Sequence, residues 1–257
     1  MSSGPQDALD AGATPPNLRQ ENERLLRELA QARAELEDFT HSVSHDLRAS
    51  LRHVNAYVQI VVEELGDQLP ATSAAHLETV RQAARQMGRQ IDGLTELSRL
   101  ARVQLHLSPV DIGQLMQDVL VAMSPALLGR PTEVQIAPDF PTLRCDGTLV
   151  REVLTQLLSN ALKFTASRSA AQIKVEWQAA QNGLCAVTVS DNGVGFNSQY
   201  ADKLFHAFQR LHSAREFEGM GMGLAMTRKI VERHGGTVWA SGAINAGCRV
   251  SFTLPMA

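Results

Sequence analysis

Between Asn17 and Val43 the chain has neither glycine nor proline, and its apolar residues form a heptad seam. Leu18, Leu25, Ala32 and Phe39 occupy d, and Asn22, Leu29, Leu36 and Val43 occupy a. A seam held in register over more than three heptads is best buried along a second helix, so it predicts a coiled coil, most simply two-stranded. Asn22, polar at an a position, is the kind of residue that fixes register by requiring an equivalent partner across the seam. The alternative is a single amphipathic helix lying on its own domain. Ahead of the seam, residues 1–17 are rich in Ala, Gly, Pro, Ser and Asp without periodicity and predict a disordered leader.

Another strict heptad would put Asp46 at d and Ser50 at a, but the apolar residues run Val43, Leu47, Leu51, Val54, Val58 and Val62. Two successive steps of four form a stutter, which locally unwinds a left-handed coil and broadens its apolar face. Gly66 and Pro70 stop this helix. A second pattern, Leu77, Val80, Ala84, Met87, Ile91, Leu94 and Ala101, then predicts an antiparallel hairpin whose apolar face a second copy would cover as a four-helix bundle.

Near LHLSPVD, residues 105–111, the pattern changes to short strands mixed with helices. The resulting organisation is a leader at 1–17, a coiled-coil linker at 18–35, a helical hairpin at 36–105 and a second domain at 106–257. In that domain helices are expected near 111–124, 146–164 and 221–234, and strands near 133–137, 171–179, 184–190, 237–242 and 248–254, with QNG at 181–183 as a hairpin turn. This is an α+β chain: coiled coil and hairpin, then an α/β sandwich with helices on one face of a mixed or antiparallel sheet.

Composition removes several classes. With 44% hydrophobic and 20% charged residues the bulk is folded, and 24 Lys+Arg against 27 Asp+Glu give −3, no general field for nucleic acid. Cys145, Cys185 and Cys248 are odd in number and far apart, which argues against a disulfide framework or a CxxC metal pair and suits a reducing cytoplasm. No apolar run reaches the ~18 residues of a membrane span, and the start lacks the pattern of a signal peptide.

Three segments carry candidate chemistry. On EVLTQLLSNALKFT, Glu152, Gln156, Asn160 and Lys163 share one face of an otherwise apolar helix. AVTVSDNGVGF leads from a strand through Asp191 into a turn, where Gly193 and Gly195 allow backbone conformations and close approach denied to other residues. In EGMGMGLAMTRKIVERHGG, Gly219, Gly221 and Gly223 precede an amphipathic helix whose N-terminus suits phosphate. Either glycine cluster alone reads more simply as an ordinary turn. There is no GxxxxGK[ST], and Leu224 stands where GxGxxG would need its last glycine, which leaves neither a P-loop nor a dinucleotide fingerprint.

Taken in order, Asn160 in QLLSNALKF, Asp191 in DNGVGF, Phe205 and Phe208 in LFHAFQRLHS, and the glycines of GMGMGLAM resemble the N, G1, F and G2 boxes of sensor histidine kinases. FTHSVSHDLRASL resembles their H box with His45 as phosphoacceptor, and FQRLHSAREFEG with IVERHGG is most similar to the phytochrome-type group. The resemblance covers residues from about 36 to the end. It implies a homodimeric hairpin bearing the histidine and an ATP-binding domain of the gyrase, Hsp90 and histidine kinase superfamily. It further implies that Asp191 accepts a hydrogen bond from the adenine amino group, that Asn160 helps hold Mg²⁺, and that Lys163 offsets phosphate charge. Segment 205–219 would be a lid hinged at Gly219, with Arg210 as its phosphate contact. The implied partners are an upstream sensor domain or protein and the receiver domain of a response regulator, whose aspartate takes the phosphoryl group.

At His45 the heptad count supplies a separate argument. With Val43 at a, His45 falls at c, outside the seam and open to another domain. Asp46 beside it is placed to hold one ring nitrogen and leave the other a lone pair, or else is a solvated helix charge. The pair His41 and His45 at i, i+4 also resembles half a metal site, but no Cys or carboxylate cluster accompanies it. Against the family pattern, Ser50 replaces the usual proline, Gln156 the first asparagine of the N box, and Met220 the common threonine. Ala49 stands four residues after the histidine, where good phosphatases among such kinases carry Thr or Asn. The expected activity is ATP-dependent autophosphorylation of His45. The alternatives are an ATPase of the same superfamily, against which the amide of Gln156 counts, and a degenerate dimeric scaffold.

Overall fold

The computed structural model describes residues 16–127, 130–213 and 216–257; the expected leader, apart from its last two residues, and the side chain of His41 lie outside what is described. Helix α1 (Pro16–Leu65) continues through Ser50, whose Oγ donates to the Asp46 carbonyl at 3.0 Å. It stops at Gly66, with φ +45°, a left-handed conformation that glycine adopts without a Cβ penalty. A single 3₁₀ turn, Gly66–Gln68, then leads to α2 (Ala71–Arg102), with Pro70 at its N-cap. Arg48 on α1 ties the two helices by donating to Asp92 Oδ1 and Thr95 Oγ1, both at 3.0 Å. No described helix is long and apolar enough to cross a membrane.

After α2 come β1 (Ser108–Asp111), α3 (Ile112–Ala122), α4 (Ser124–Leu127), β2 (Thr132–Ile136), β3 (Thr142–Cys145) and α5 (Gly147–Phe164). The chain ends with β4 (Ala171–Ala179), β5 (Leu184–Asp191), α6 (Gly223–Arg233), β6 (Val238–Gly242) and β7 (Cys248–Pro255). The main sheet has the order β2-β4-β5-β7-β6; only the β2–β4 pair is parallel, so the sheet is mixed. Asn182 and Gly183, at φ 58° and 70°, make the tight connection between β4 and β5. The small β1–β3 sheet and α4 have no counterpart among the sequence expectations.

Strand alternation decides which face is covered. Ile173, Val175, Cys185, Val187, Val189, Val250, Phe252 and Leu254 are buried; on β4 the next residues along, Lys174 and Glu176, face solvent, whereas in the centre of the sheet Ala186, Ser251 and Thr253 are buried as well. Helix α5 covers this face with Val150, Val153, Leu154, Leu157, Leu158 and Ala161, flanked by α3 and α6. Its start is fixed by Asp146, which accepts the N–H groups of Thr148 (3.1 Å) and Leu149 (3.2 Å). The other carboxylate oxygen of Asp146 takes the His106 N–H at 3.1 Å, so the same residue anchors the connection from the hairpin.

The sandwich domain lies against α2. Met222 is 4% exposed and fills the notch left by Gly93, where an added Cβ would sit 3.0 Å from its Cγ. Arg233 Nη1 donates to the carbonyls of Leu100 (2.9 Å) and Val103 (2.5 Å) at the end of α2. Buried His234 completes the joint: Nε2 accepts from the Asp146 N–H at 3.0 Å, which leaves Nδ1–H to donate to the Ile230 carbonyl at 2.8 Å.

Candidate active site

Between α5, the end of β5, the 205–222 segment and α2 lies a cavity of about 510 Å³. Its wall brings together Asn160, Lys163, Asp191, Gly195, Arg210, Gly219, Gly221 and Gly223, residues spread over more than sixty positions of sequence. Gly193 stands just behind this wall, buried. The polar face of α5 divides: Gln156, Asn160 and Lys163 enter the cavity, while Glu152, nearer the helix start, faces a neighbouring cleft shared with Glu96 of α2. Burial first, and then the Glu96 carboxylate, raise the Glu152 carboxyl above its ordinary range.

At the cavity floor Asp191 ends β5 and accepts the Gly193 N–H at 2.8 Å. Burial pushes its carboxyl up, opposed by the Gly193 and Cys248 N–H groups and by the charge of Arg168. The Cys248 thiol on β7 is pushed up to about 12, by burial and by the Asp191 charge, and is therefore a neutral wall group. Here glycine is required. A Cβ on Gly193 would lie 2.5 Å from the Phe164 carbonyl oxygen, and one on Gly195, with φ +62°, would overlap the Ala243 carbonyl.

Opposite Asp191 the cavity is cationic. Burial and then the Arg210 guanidinium lower the Lys163 pKa, so the two cations feel each other across the same space. Lys163 Nζ rests 4.6 Å from the Phe164 ring centroid, and Arg210 donates to the Phe217 carbonyl at 2.5 Å; among the described residues neither forms an ion pair with a carboxylate. Two cations facing one cavity fit an anion. The Asn160 amide lines the cavity and has no hydrogen-bond partner among the described residues; its oxygen is of the kind that can ligate a hard cation.

Of segment 205–219, residues 209–212 and 217–219 line this space, and residues 214 and 215 lie outside the description. Phe205 is buried in the core, whereas Phe208, at φ +63°, is 38% exposed and donates its N–H to the Gly221 carbonyl at 2.9 Å. Phe164, His212 and Phe217 form an aromatic cluster with centroids 5.0 to 5.4 Å apart. His212 Nε2 lies 2.9 Å from the Gly195 carbonyl, joining this segment to the turn after Asp191. His212 was not among the sequence candidates; its place in the run FQRLHS, one residue beyond the hydrophobic Leu211, was the available signal.

His45 and Asp46 do not line the cavity. The hairpin residues that do are Arg89, Asp92, Gly93 and Glu96, all on α2. The His45 side chain is 70% exposed, and its Nδ1 lies 3.2 Å from Asp46 Oδ1. The tautomer with Nδ1–H donating to that carboxylate is the one that leaves the lone pair on Nε2.

Residues 35–102 match the His Kinase A (phospho-acceptor) domain, and residues 145–257 match the histidine kinase-, DNA gyrase B- and HSP90-like ATPase domain. With these two domains in this order the chain belongs to the histidine kinases, as a transmitter module. It is 31% identical over 230 residues to cyanobacterial phytochrome B of Nostoc sp. (strain PCC 7120), a match covering 88% of this chain and 30% of that protein. To the methanogenesis regulatory histidine kinase FilI of Methanothrix harundinacea it is 32% identical, covering 89% of this chain and 25% of the relative. The chain thus spans a quarter to a third of the length of these curated relatives. In fold it is similar to full-length ShkA, solved in complex with AMPPNP (TM-score 0.60, 24% identity, 86% of this chain and 46% of that one). It is also similar to the histidine kinase ThkA in complex with the response regulator TrrA (TM-score 0.58, 20% identity, 96% and 68%).

Proposed function

We propose that the chain autophosphorylates His45 from ATP and passes the phosphoryl group to an aspartate on a response-regulator receiver domain. The observation that carries this reading is a single cavity offering an acceptor at Asp191, two cations at Lys163 and Arg210, and a glycine loop at the start of α6, in one chain with an exposed imidazole beside a carboxylate. Asp191 would accept from the adenine amino group, Lys163 and Arg210 would balance phosphate charge, and exposed N–H groups around Gly219, Gly221 and Gly223 would cradle it. Mg²⁺, when bound at Asn160, would neutralise further phosphate charge. In the transfer, Nε2 of His45 forms the N–P bond as the bond between the γ-phosphorus and the bridging oxygen of ATP breaks, and ADP leaves. Asp46 holds the Nδ1 proton and the positive charge that the ring acquires.

Because α2 residues line the cavity and His45 of the same chain does not, transfer within one chain would need the ATP domain to leave the arrangement described here, while transfer between copies would bring in the His45 of a second copy. A second copy is supported by the exposed seam, with Leu18, Leu25, Leu29, Leu36 and Phe39 each 47 to 65% exposed along α1. The likeness to ThkA supports a response regulator as partner, and the phytochrome and FilI matches support a sensor region upstream. The domain divisions at 18–35, 36–105 and 106–257 and a cytoplasmic setting complete the proposal.

Radiolabelled ATP tests it. The expected product is an acid-labile, alkali-stable phosphoprotein that disappears in His45→Gln while ADP affinity stays unchanged. Released phosphate without labelled protein would instead indicate an ATPase, and labelling that survives His45→Gln would refute the assignment.

A further inference from the structure

The turn that presents Asp191 is held from outside the cavity by an arginine that belongs to none of the recognised sequence boxes. Arg168 lies half-buried in the turn after α5. Its Nε donates to the Asn192 carbonyl and its Nη2 to the Gly193 carbonyl, both at 2.8 Å, and Nη2 also reaches the Asn245 carbonyl at 2.9 Å. One guanidinium thereby joins two turns, the one after β5 and the one between β6 and β7. The Asn245 N–H donates to the Val194 carbonyl at 2.7 Å and closes the same junction from the other side.

Arg168 is itself anchored. Its N–H donates to the Thr165 carbonyl at 2.9 Å, and buried Thr165 is gripped by Arg130, whose Nη2 lies 2.9 Å from Thr165 Oγ1 and whose guanidinium also donates to the Leu162 and Thr165 carbonyls. These are carbonyls at the end of α5 that the helix leaves without N–H partners, where a cation is favoured. The support therefore runs from the end of α5 through Arg168 into the turn carrying Asp191. Gly247 seals the far side, since a Cβ there would overlap the Asp191 carbonyl.

We infer that Arg168 is a positioning residue for nucleotide recognition, acting through Asp191 by fixing the 192–193 and 245 carbonyls that frame it. A lysine carries its three N–H donors on a single nitrogen and lacks the planar fork that reaches three carbonyls from separate nitrogens. The positive charge of Arg168 also favours the ionised form of Asp191, the form that accepts a hydrogen bond from an amine.

The inference rests on the reading of the cavity as a nucleotide site, and a double-mutant cycle separates the two. ADP is titrated calorimetrically into the intact chain, Arg168→Lys, Asp191→Asn and the double variant. Arg168→Lys is expected to weaken ADP about tenfold, the scale of one lost or misaligned charged hydrogen bond. In the Asp191→Asn background the same change should cost less than about twofold, because the group it positions is already gone. Equal losses in both backgrounds would mean that Arg168 supports the domain generally, and no loss in the first would mean that it supports nothing the nucleotide uses; either overturns the inference alone. Failure of the unmodified chain to bind ADP would overturn the nucleotide reading and this inference with it. A measurement without substitution gives an independent test. Amide hydrogen exchange in the unmodified, nucleotide-free chain should show Asn192, Gly193, Val194 and Asn245 protected as one unit, and solvent-like exchange at these amides would refute the clamp.

Discussion

Replacing Arg233 with alanine should release the ATP domain from the hairpin. Arg233 Nη1 donates to the Leu100 and Val103 carbonyls, at 2.9 and 2.5 Å, where α2 ends. Leu100 lies in the last turn of α2, whose carbonyls have no helical N–H of their own, so the guanidinium satisfies them and places positive charge at the negative end of the helix. A hydrogen bond from a charged donor is worth about 1.5–3 kcal/mol, and half-burial of Arg233 favours the lower end, about 1.5–2 kcal/mol. That shifts the ratio of docked to undocked domain roughly ten- to thirtyfold. Met222 in the Gly93 notch and the His106 N–H on Asp146 remain, so the domain should open more often without losing its fold. Trypsin cleavage after Arg102, at the boundary between α2 and the connection, reads the open population directly when opening is fast relative to cutting. The expected result is a ten- to thirtyfold faster cut in Arg233→Ala at unchanged melting temperature of the sandwich, with faster autophosphorylation because the docked state keeps His45 away from the cavity. Equal cleavage rates for the two proteins would show that these hydrogen bonds do not hold the domains together.

Three further changes test other parts of the molecule. Gly93→Val should weaken docking in the same trypsin assay, since its Cβ starts 3.0 Å from Met222 Cγ and the branch adds two methyl groups with no room; Gly93→Ala should do so only slightly. Affinity for adenosine, chosen because it has no titrating phosphate, should be full while Asp191 is ionised and fall as the pH drops through a value above the ordinary carboxylate range, because burial raises this carboxyl against the opposing charge of Arg168. Calorimetry over falling pH should show that fall in the native chain at higher pH than an ordinary aspartate would give, and a flat profile in Asp191→Asn, weaker by roughly 1–3 kcal/mol. Ala49→Thr should speed decay of a phosphorylated regulator in the presence of ADP more than it alters autophosphorylation, by supplying a hydroxyl one turn from His45; rapid decay with the unmodified chain would show that Ala49 is not limiting.

What could be read from the sequence was what repeats locally. The seam of α1, the alternation in β4 and β7 and the glycine spacing before α6 are all periodic over a few residues, and each element lies within a few positions of its expected range. The β1–β3 sheet left no such trace: each strand has four residues, one contains Pro109, and the pairing of Ser108 with Cys145 joins positions that only the folded domain brings together. Arg130, Arg168 and Arg233 leave no trace for a related reason, since their partners are mainly backbone carbonyls, which no residue type announces. The face of α5 was read correctly as a stripe, but its division at Glu152 depends on where α2 lies, which helical periodicity alone does not contain.

That division has a thermodynamic consequence. The cavity is completed by Arg89, Asp92, Gly93 and Glu96 of α2, so its charge differs between the docked and the open domain. The sandwich contributes Lys163 and Arg210 together with Asp191 and Glu218, while the hairpin adds one arginine and two carboxylates. An anion that binds the open cavity more tightly, because Asp92 and Glu96 have left, must favour opening by the same factor, since coupling between two equilibria is reciprocal. Asp92 is also the acceptor of Arg48, three residues beyond His45 on α1, so packing between α1 and α2 bears on a wall of the cavity. A signal that twists or separates the two helices could then change nucleotide affinity and domain release together, through residues that touch the cavity, with no change inside the sandwich itself.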